Sequence, residues 1–286
     1  MGHRFRLLIF LSVFFSIFPF SPVFSEEVIQ FGLCPKFDPE TMNRLYQPFM
    51  NYLNQNTAYR FKVKLTTFHQ ETVGRTMMGE TPIAFCGPVP YLKAKEKFNV
   101  SPILRALNKD GDSYYRGIIV TREDSPVRNL SDLKKKSFAF AQEWSTAGHI
   151  LPRYHLLKSG VGLKDLKRYA FLRSHDFVIN AVLTGEFDAG AVKDIVAHKY
   201  KKKGLRYVYI TDPIPTWSVI VRTDAQEEMV RSVKASLLKL DPKNPGTRKL
   251  MAKWDEEIQY GVIETSPSDY DGIRRILDVI EKETKP

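Results

Sequence analysis

Short apolar runs alternate with helix-spaced apolar residues along nearly the whole chain, and no other feature limits the fold as strongly. Residues 28–33 read as a buried strand, and Asp38-Pro39 then sets a helix cap with proline at the first helical position. Met42, Leu45, Tyr46, Phe49, Met50 and Leu53 fall on one face of that helix, whereas Phe61, Val63 and Leu65 alternate with Lys62, Lys64 and Thr66 as a strand does. A weaker helix over 70–78, a strand over 83–86 and a helix over 91–97 continue the rhythm. A strand over 117–120 follows, and the polar connector 125–136 is a candidate lobe boundary before the next strand at 137–140. Helices over 145–158, 176–183 and 194–202 then alternate with strands over 168–172, 189–192 and 207–210. After Pro213-Ile214-Pro215 a strand over 217–221 leads into mostly helical sequence, including 270–282 with Ile273, Ile276, Leu277 and Ile280 on one face. Such alternation predicts an α/β fold with mainly parallel sheets flanked by helices. We expect two lobes, one from 26–119 with a helical return over 221–286 and one from 120–220. A strand leaving at Ile118 and one returning at Val219 are expected to form a two-stranded hinge.

The first 25 residues read as a cleavable export signal. Arg4 and Arg6 supply the positive start, residues 7–20 the apolar run, and Val23-Phe24-Ser25 a small-residue cleavage site, with the cut expected after Ser25. The run is short for a membrane span of about 20 residues, and Pro19 and Pro22 end it. The mature protein is thus expected to be soluble and outside the cytoplasm. Removing two arginines and no acids lowers the formal charge from +11 to +9, a basic balance that favours anionic ligands or surfaces. The lysine runs 134–136 and 199–203 read as solvated helix or loop ends, and no aromatic-interleaved basic stripe points to nucleic acid. Two cysteines, Cys34 and Cys86, make neither a disulfide framework nor a metal cluster. Both end strands of the first lobe. Export permits their oxidation, although neighbouring parallel strands seldom give disulfide geometry, and Cα atoms within about 7 Å are expected whether or not they are bonded.

The segment from Phe138 to Gly148 places a strand, a loop and then Ser145-Thr146-Ala147-Gly148 at the start of a helix. Helix starts have free backbone N–H groups and a partial positive charge, so two hydroxyls there, with a glycine allowing close approach, suit an anion. An ordinary Ser or Thr cap is the plainer alternative. Ser174-His175-Asp176 opens the next helix after the next strand, where the histidine N–H would face the same space beyond the strand ends; a capping Asp176 beside a surface histidine is its plainer reading. Two polar helix starts after consecutive strands of one sheet converge on one cleft edge, which favours a site.

The order of these motifs resembles the PhnD-like family of phosphate, phosphite and phosphonate binding proteins over nearly the whole mature chain. The resemblance is carried by Phe31-Gly32-Leu33-Cys34-Pro35, Tyr46-Gln47-Pro48-Phe49, Ala84-Phe85-Cys86-Gly87-Pro88, Tyr115-Arg116-Gly117-Ile118-Ile119-Val120 and Ser145-Thr146-Ala147-Gly148. Leu151-Pro152-Arg153-Tyr154, Ser174-His175-Asp176, the run from Gly185 to Val192 and Pro213-Ile214-Pro215 extend it. It implies a type II two-lobed periplasmic binding protein that traps an oxyanion between its lobes, with Ser145, Thr146, His175 and Tyr115 on the phosphonate oxygens. The expected partner is an ABC permease, and a monomer without cofactor or metal is implied. Two positions depart from the family pattern: Phe68-His69 stands where Asp-Tyr is frequent, and Trp217 where some members carry an acid. An acid there would pair with a ligand amine, so Trp217 argues for a smaller or more apolar anion. His69 is either an oxyanion donor or an exposed strand-end histidine. Asp194 lies near a further position that is acidic in some aminophosphonate binders.

Two other classes compete with the importer reading. His175, Asp176, Asp188 and Ser145 supply acid, base and nucleophile types, but the chain has no Gly-x-Ser-x-Gly elbow, metal motif or dinucleotide fingerprint, so an enzyme is not expected. A ligand-sensing subunit for a membrane histidine kinase would carry the same kind of site.

Overall fold

The computed structural model describes residues 28–284, and the expected export signal lies outside the described residues. Strand β1 (Val28–Leu33) is followed by α1 (Pro39–Asn56), β2 (Arg60–Lys64), α2 (His69–Met77), β3 (Ile83–Cys86), α3 (Pro88–Lys97) and β4 (Val100–Ala106). The dipeptide β5 (Tyr114–Tyr115) leads to β6 (Gly117–Arg122), β7 (Ser137–Phe140), α4 (Leu151–Lys158), β8 (Arg168–Phe171) and α5 (His175–Leu183). Then come β9 (Ala189–Lys193), α6 (Asp194–Tyr200) and β10 (Leu205–Ile210). The chain returns through β11 (Ile214–Pro215) to β12 (Ser218–Arg222), α7 (Glu227–Leu238), α8 (Pro245–Met251), β13 (Val262–Glu264) and α9 (Asp271–Thr284).

Local chemistry accounts for the first helix. The Asp38 carboxylate accepts from the Thr41 N–H at 2.9 Å, Pro39 opens the first turn, and Met42, Tyr46, Phe49, Met50 and Leu53 bury one face against the sheet. There the Phe31 and Phe49 rings meet edge to face at 5.7 Å. Each lobe is built on one sheet. The first has the order β13-β4-β12-β3-β1-β2 and the second β10-β6-β9-β7-β8. Pairing is parallel where βαβ units repeat, β1 with β2 and β3, and β7 with β8 and β9. It is antiparallel around β6 and β12, the strands by which the chain enters one lobe and re-enters the other, so the sheets are mixed. Buried clusters cover both faces of the five-stranded sheet, which is why its central strands β7 and β9 are buried throughout.

Strands form at Ile118 and Val219, but they do not pair with each other. Ile118 pairs with Val192 and Ile210 in the second sheet, and Val219 with Phe85 and Leu104 in the first. The two-stranded crossing lies a few residues earlier, in the ribbon of β5 and β11, with Ile214 opposite Tyr115 and Pro215 opposite Tyr114. Likewise, the polar connector 125–136 is internal to the second lobe, because β6 and β7 on either side of it share one sheet. Polarity marks a surface loop and carries no information about which sheet the next strand joins.

Cys34 and Cys86 are buried free thiols, one register step beyond the Leu33 and Phe85 pair. Burial first, then the neighbouring Cys34, pushes the Cys86 thiol well above its ordinary range.

Candidate functional site

After β7 the chain turns, and Ser145 takes the cap position, its Oγ accepting from the Gly148 N–H at 3.0 Å. The Ser145 carbonyl accepts from both His149 and Ile150, at 3.1 and 3.0 Å, so Thr146–Ile150 forms one wide π-type turn before α4 begins. The first N–H groups of this turn have no partner within the helix and face outward from its start. Gly148 is required sterically. A Cβ there would lie 2.4 Å from the Ala141 Cβ and 2.9 Å from the His175 Cε1, so only glycine lets the imidazole approach the turn. Gly117 gives the same clearance to the Ala147 carbonyl, which a Cβ would meet at 2.7 Å.

His175 opens α5 and is buried. The Lys193 backbone N–H donates to its Nδ1 at 3.4 Å, which leaves the ring proton on Nε2 as a donor. Burial, then the nearby cationic groups, lowers its pKa to about 3, so the ring is neutral. Tyr115, in the crossing ribbon, is 4% exposed; burial, then the Glu257 charge, holds its phenol well above the ordinary range, while the neighbouring Thr146 hydroxyl and Trp217 work in the opposite direction. Trp217 packs on Phe85 at 5.6 Å between ring centres. His69 is 6% exposed, which removes the strand-end surface alternative. Its backbone N–H donates to Gln142 Oε1 of the other lobe at 3.0 Å, and its Nε2 stands 3.2 Å from the Pro35 carbonyl oxygen.

His69, Tyr115, Ser145, Thr146, Ala147, His175 and Trp217 line one cavity of ≈ 20 Å³ between the lobes, on the order of one or two waters in size. Gly148 stands behind it as the spacer described above. Asp176 does not line it; its carboxylate lies toward the Tyr200 hydroxyl at the end of α6, and its Oδ1 is buried without a partner. Asp194 belongs to a neighbouring cavity of ≈ 150 Å³ beyond Tyr115 and Lys193, and its Oδ2 accepts from the Arg116 N–H at 2.8 Å.

Sequence reasoning missed two contributions. One is the start of α3 in the first lobe, where the Val89 N–H donates to the Thr146 Oγ1 at 3.0 Å and so joins the lobes at the cavity. Its signal was legible as Gly87-Pro88, a helix start facing the same cleft. The other is a buried ion network. Lys193, the last residue of β9, pairs with Glu257 and holds its ammonium 3.8 Å from the centre of the Tyr115 ring. Lys36 pairs with Asp255 at 2.8 Å and with Glu257 at 3.5 Å, and the Tyr46 hydroxyl donates to Asp255 at 3.1 Å. Burial works to lower the Lys36 pKa, but the two carboxylates outweigh it and hold the group above its ordinary value. Lys36 and Asp255 are 219 positions apart, so no local pattern announces them.

Two lobes on mixed sheets, crossed by a short ribbon and closed on a cavity rimmed by helix starts, define a type II two-lobed binding protein for a small anion. Comparison with known proteins agrees. The family described as "ABC transporter, phosphonate, periplasmic substrate-binding protein" matches residues 31–270, and the chain belongs to it. It is 25% identical over 263 residues to a probable ABC transporter phosphite binding protein, PhnD1, of Prochlorococcus marinus, covering 85% of this chain and 88% of the relative. It is 24% identical over 280 residues to the phosphate-import protein PhnD of Mycolicibacterium smegmatis, covering 90% and 87%. The solved structure of the Prochlorococcus PhnD1 with methylphosphonate matches the fold with a TM-score of 0.80 at 21% identity, over 90% of this chain and 99% of that one.

Proposed function

We propose that this chain is the capture subunit of an ABC importer and closes its lobes on a phosphonate, phosphite or phosphate-like oxyanion. The observation that carries this reading is the convergence on one cavity of the Ser145 and Thr146 hydroxyls, the neutral His175 Nε2–H, Tyr115 and, from the opposite lobe, the start of α3. Neutral donors fixed before the ligand arrives replace the hydration shell of an anion at little reorganisation cost. The Prochlorococcus relative is described as phosphite-binding and was solved with methylphosphonate, and the Mycolicibacterium relative as importing phosphate. Trp217 and the Lys193 ammonium beside the cavity disfavour a ligand amine.

The polar groups are arranged for binding rather than catalysis. Ser145 Oγ serves Gly148, His175 Nδ1 takes a backbone N–H, and Asp188 accepts from the Ser137 N–H and hydroxyl at 2.8 and 2.7 Å. Among the described residues no carboxylate orients the histidine and the histidine activates no serine, as a nucleophile relay would need. The units that move would follow sheet membership, β1 to β4 with everything from β12 onward on one side and β6 to β10 on the other, hinged at the β5/β11 ribbon. The protein would act as a monomer in the periplasm, exported by residues 1–25 and docking on an inner-membrane permease.

Isothermal calorimetry of the mature protein with phosphate, phosphite, methylphosphonate, aminoethylphosphonate, sulfate and tetrathionate tests the reading. Tightest binding is expected for a phosphorus oxyanion without an amine. A preference for tetrathionate, or no binding of any phosphorus anion, would refute it.

A further inference from the structure

The groups converging on the cavity donate hydrogen bonds, with one exception. The Pro35 carbonyl oxygen can only accept, so the His69 Nε2 that faces it at 3.2 Å carries the ring proton. A neutral imidazole has one such proton, which leaves His69 Nδ1 a bare acceptor. That atom is buried without a partner, on a side chain that lines the cavity. A buried acceptor of this kind calls for a donor, and the remaining cavity groups meet a ligand with hydrogen rather than lone pairs.

Charge balance points the same way. Lys193 and Lys36 are the cations nearest the cavity, and Glu257 and Asp255 already neutralise them. Burying a second negative charge on the ligand would leave it facing neutral donors and a Lys193 ammonium already paired with Glu257.

Resting on the oxyanion reading above, we propose that the site takes its ligand as a singly protonated monoanion whose O–H donates to His69 Nδ1. His69 is thereby the residue that separates phosphorus oxyanions from sulfate, which has no proton to give near neutral pH. The second proton of a phosphate-type group leaves at a pH of about 6 in a phosphate monoester, within the working range of the protein.

Several groups facing His69 titrate, and their behaviour bounds the test. On its own helix Glu71 is held below the ordinary carboxylate range by the Thr67 N–H and Arg75. Across the cavity stand His175, Tyr115 and Lys193, and behind Pro35 lie Lys36, Asp255 and Glu257. Burial lowers the His69 pKa to about 4, so the ring itself is neutral between pH 5.5 and 8.5.

Calorimetry of the wild-type mature protein with phosphite, methylphosphonate and sulfate, at three pH values and in two buffers of different ionisation enthalpy, reads the shared proton directly. At pH 8.5 uptake of about one proton per bound phosphorus anion is expected, with affinity falling about tenfold per pH unit above the ligand's own second pKa. Sulfate should bind at least about a hundredfold more weakly than phosphite at pH 7. His69→Phe should flatten the pH slope and narrow the gap to sulfate. No proton uptake at pH 8.5 in the wild type, or sulfate binding within tenfold of phosphite, would overturn the proposal whatever the variant does. Failure of every phosphorus anion to bind would remove the capture reading itself, and the proposal with it.

Discussion

The two lobes face one cavity with different means. The second lobe offers devices written within a few residues: a capped turn at Ser145, a glycine at 148 that clears space, and a histidine opening the next helix. The first lobe offers an assembly of distant parts, with Lys36, Asp255 and Glu257 brought together from either end of the chain and bound to Lys193 across the cleft. Local devices survive changes elsewhere, whereas a buried ion network depends on every member. Losing one member strands a charge.

The sharpest way to break that contrast is Lys193→Met, which leaves the buried Glu257 with Lys36 as its remaining cation. A loss of binding on the order of 3–5 kcal/mol is expected by calorimetry, and Lys193→Met/Glu257→Leu should recover part of it because no charge is then stranded. Equal losses in the single and double variants would show that the network does not act as a unit. Ser145→Ala and Thr146→Ala come next, each expected to weaken oxyanion binding by about 1.5–3 kcal/mol, or roughly ten- to a hundredfold. If Ser145 were only a cap, its variant would lose about 1 kcal/mol of folding stability and bind unchanged. Gly148→Ala should cost about 1–3 kcal/mol of stability in urea unfolding, since its Cβ overlaps Ala141 and His175.

Both cavity histidines also tie stability to pH. Their folded pKa values, about 4 for His69 and about 3 for His175, lie below the ordinary 6.5, so the unfolded chain takes up protons first as pH falls. Stability is therefore complete above about pH 6.5 and is lost toward pH 4, at about 1.4 kcal/mol per pH unit for each buried ring. Thermal melts between pH 7 and 4.5 should show this decline, and His175→Gln should make it shallower. The smallest effect is expected for neutralising the exposed residues Lys201, Lys202 and Lys203, which should leave affinity at moderate salt nearly unchanged because exposed charges are screened within about 8–10 Å. A tenfold loss there would place that run in the site.

Much of this protein was legible in its residues, for a physical reason. Strand and helix periodicity, the Asp38 cap, the Ser145 turn and the His175 helix start depend on neighbours within about one helical turn, and the sequence states those neighbours directly. The position of the crossing was not legible. Ile118 and Val219 look alike as apolar strand residues, and only sheet pairing decides that they belong to opposite lobes while Tyr115 and Ile214 face each other. The histidine pair shows the limit most clearly. The sequence places His175 at a helix start and leaves His69 between an oxyanion donor and a strand-end surface residue, but which nitrogen is a donor depends on the Pro35 carbonyl for His69 and on the Lys193 N–H for His175, contacts of 34 and 18 positions in separation. Periodicity is a property of the local backbone, whereas the direction of a hydrogen bond and the partner of a buried charge exist only after distant segments have packed.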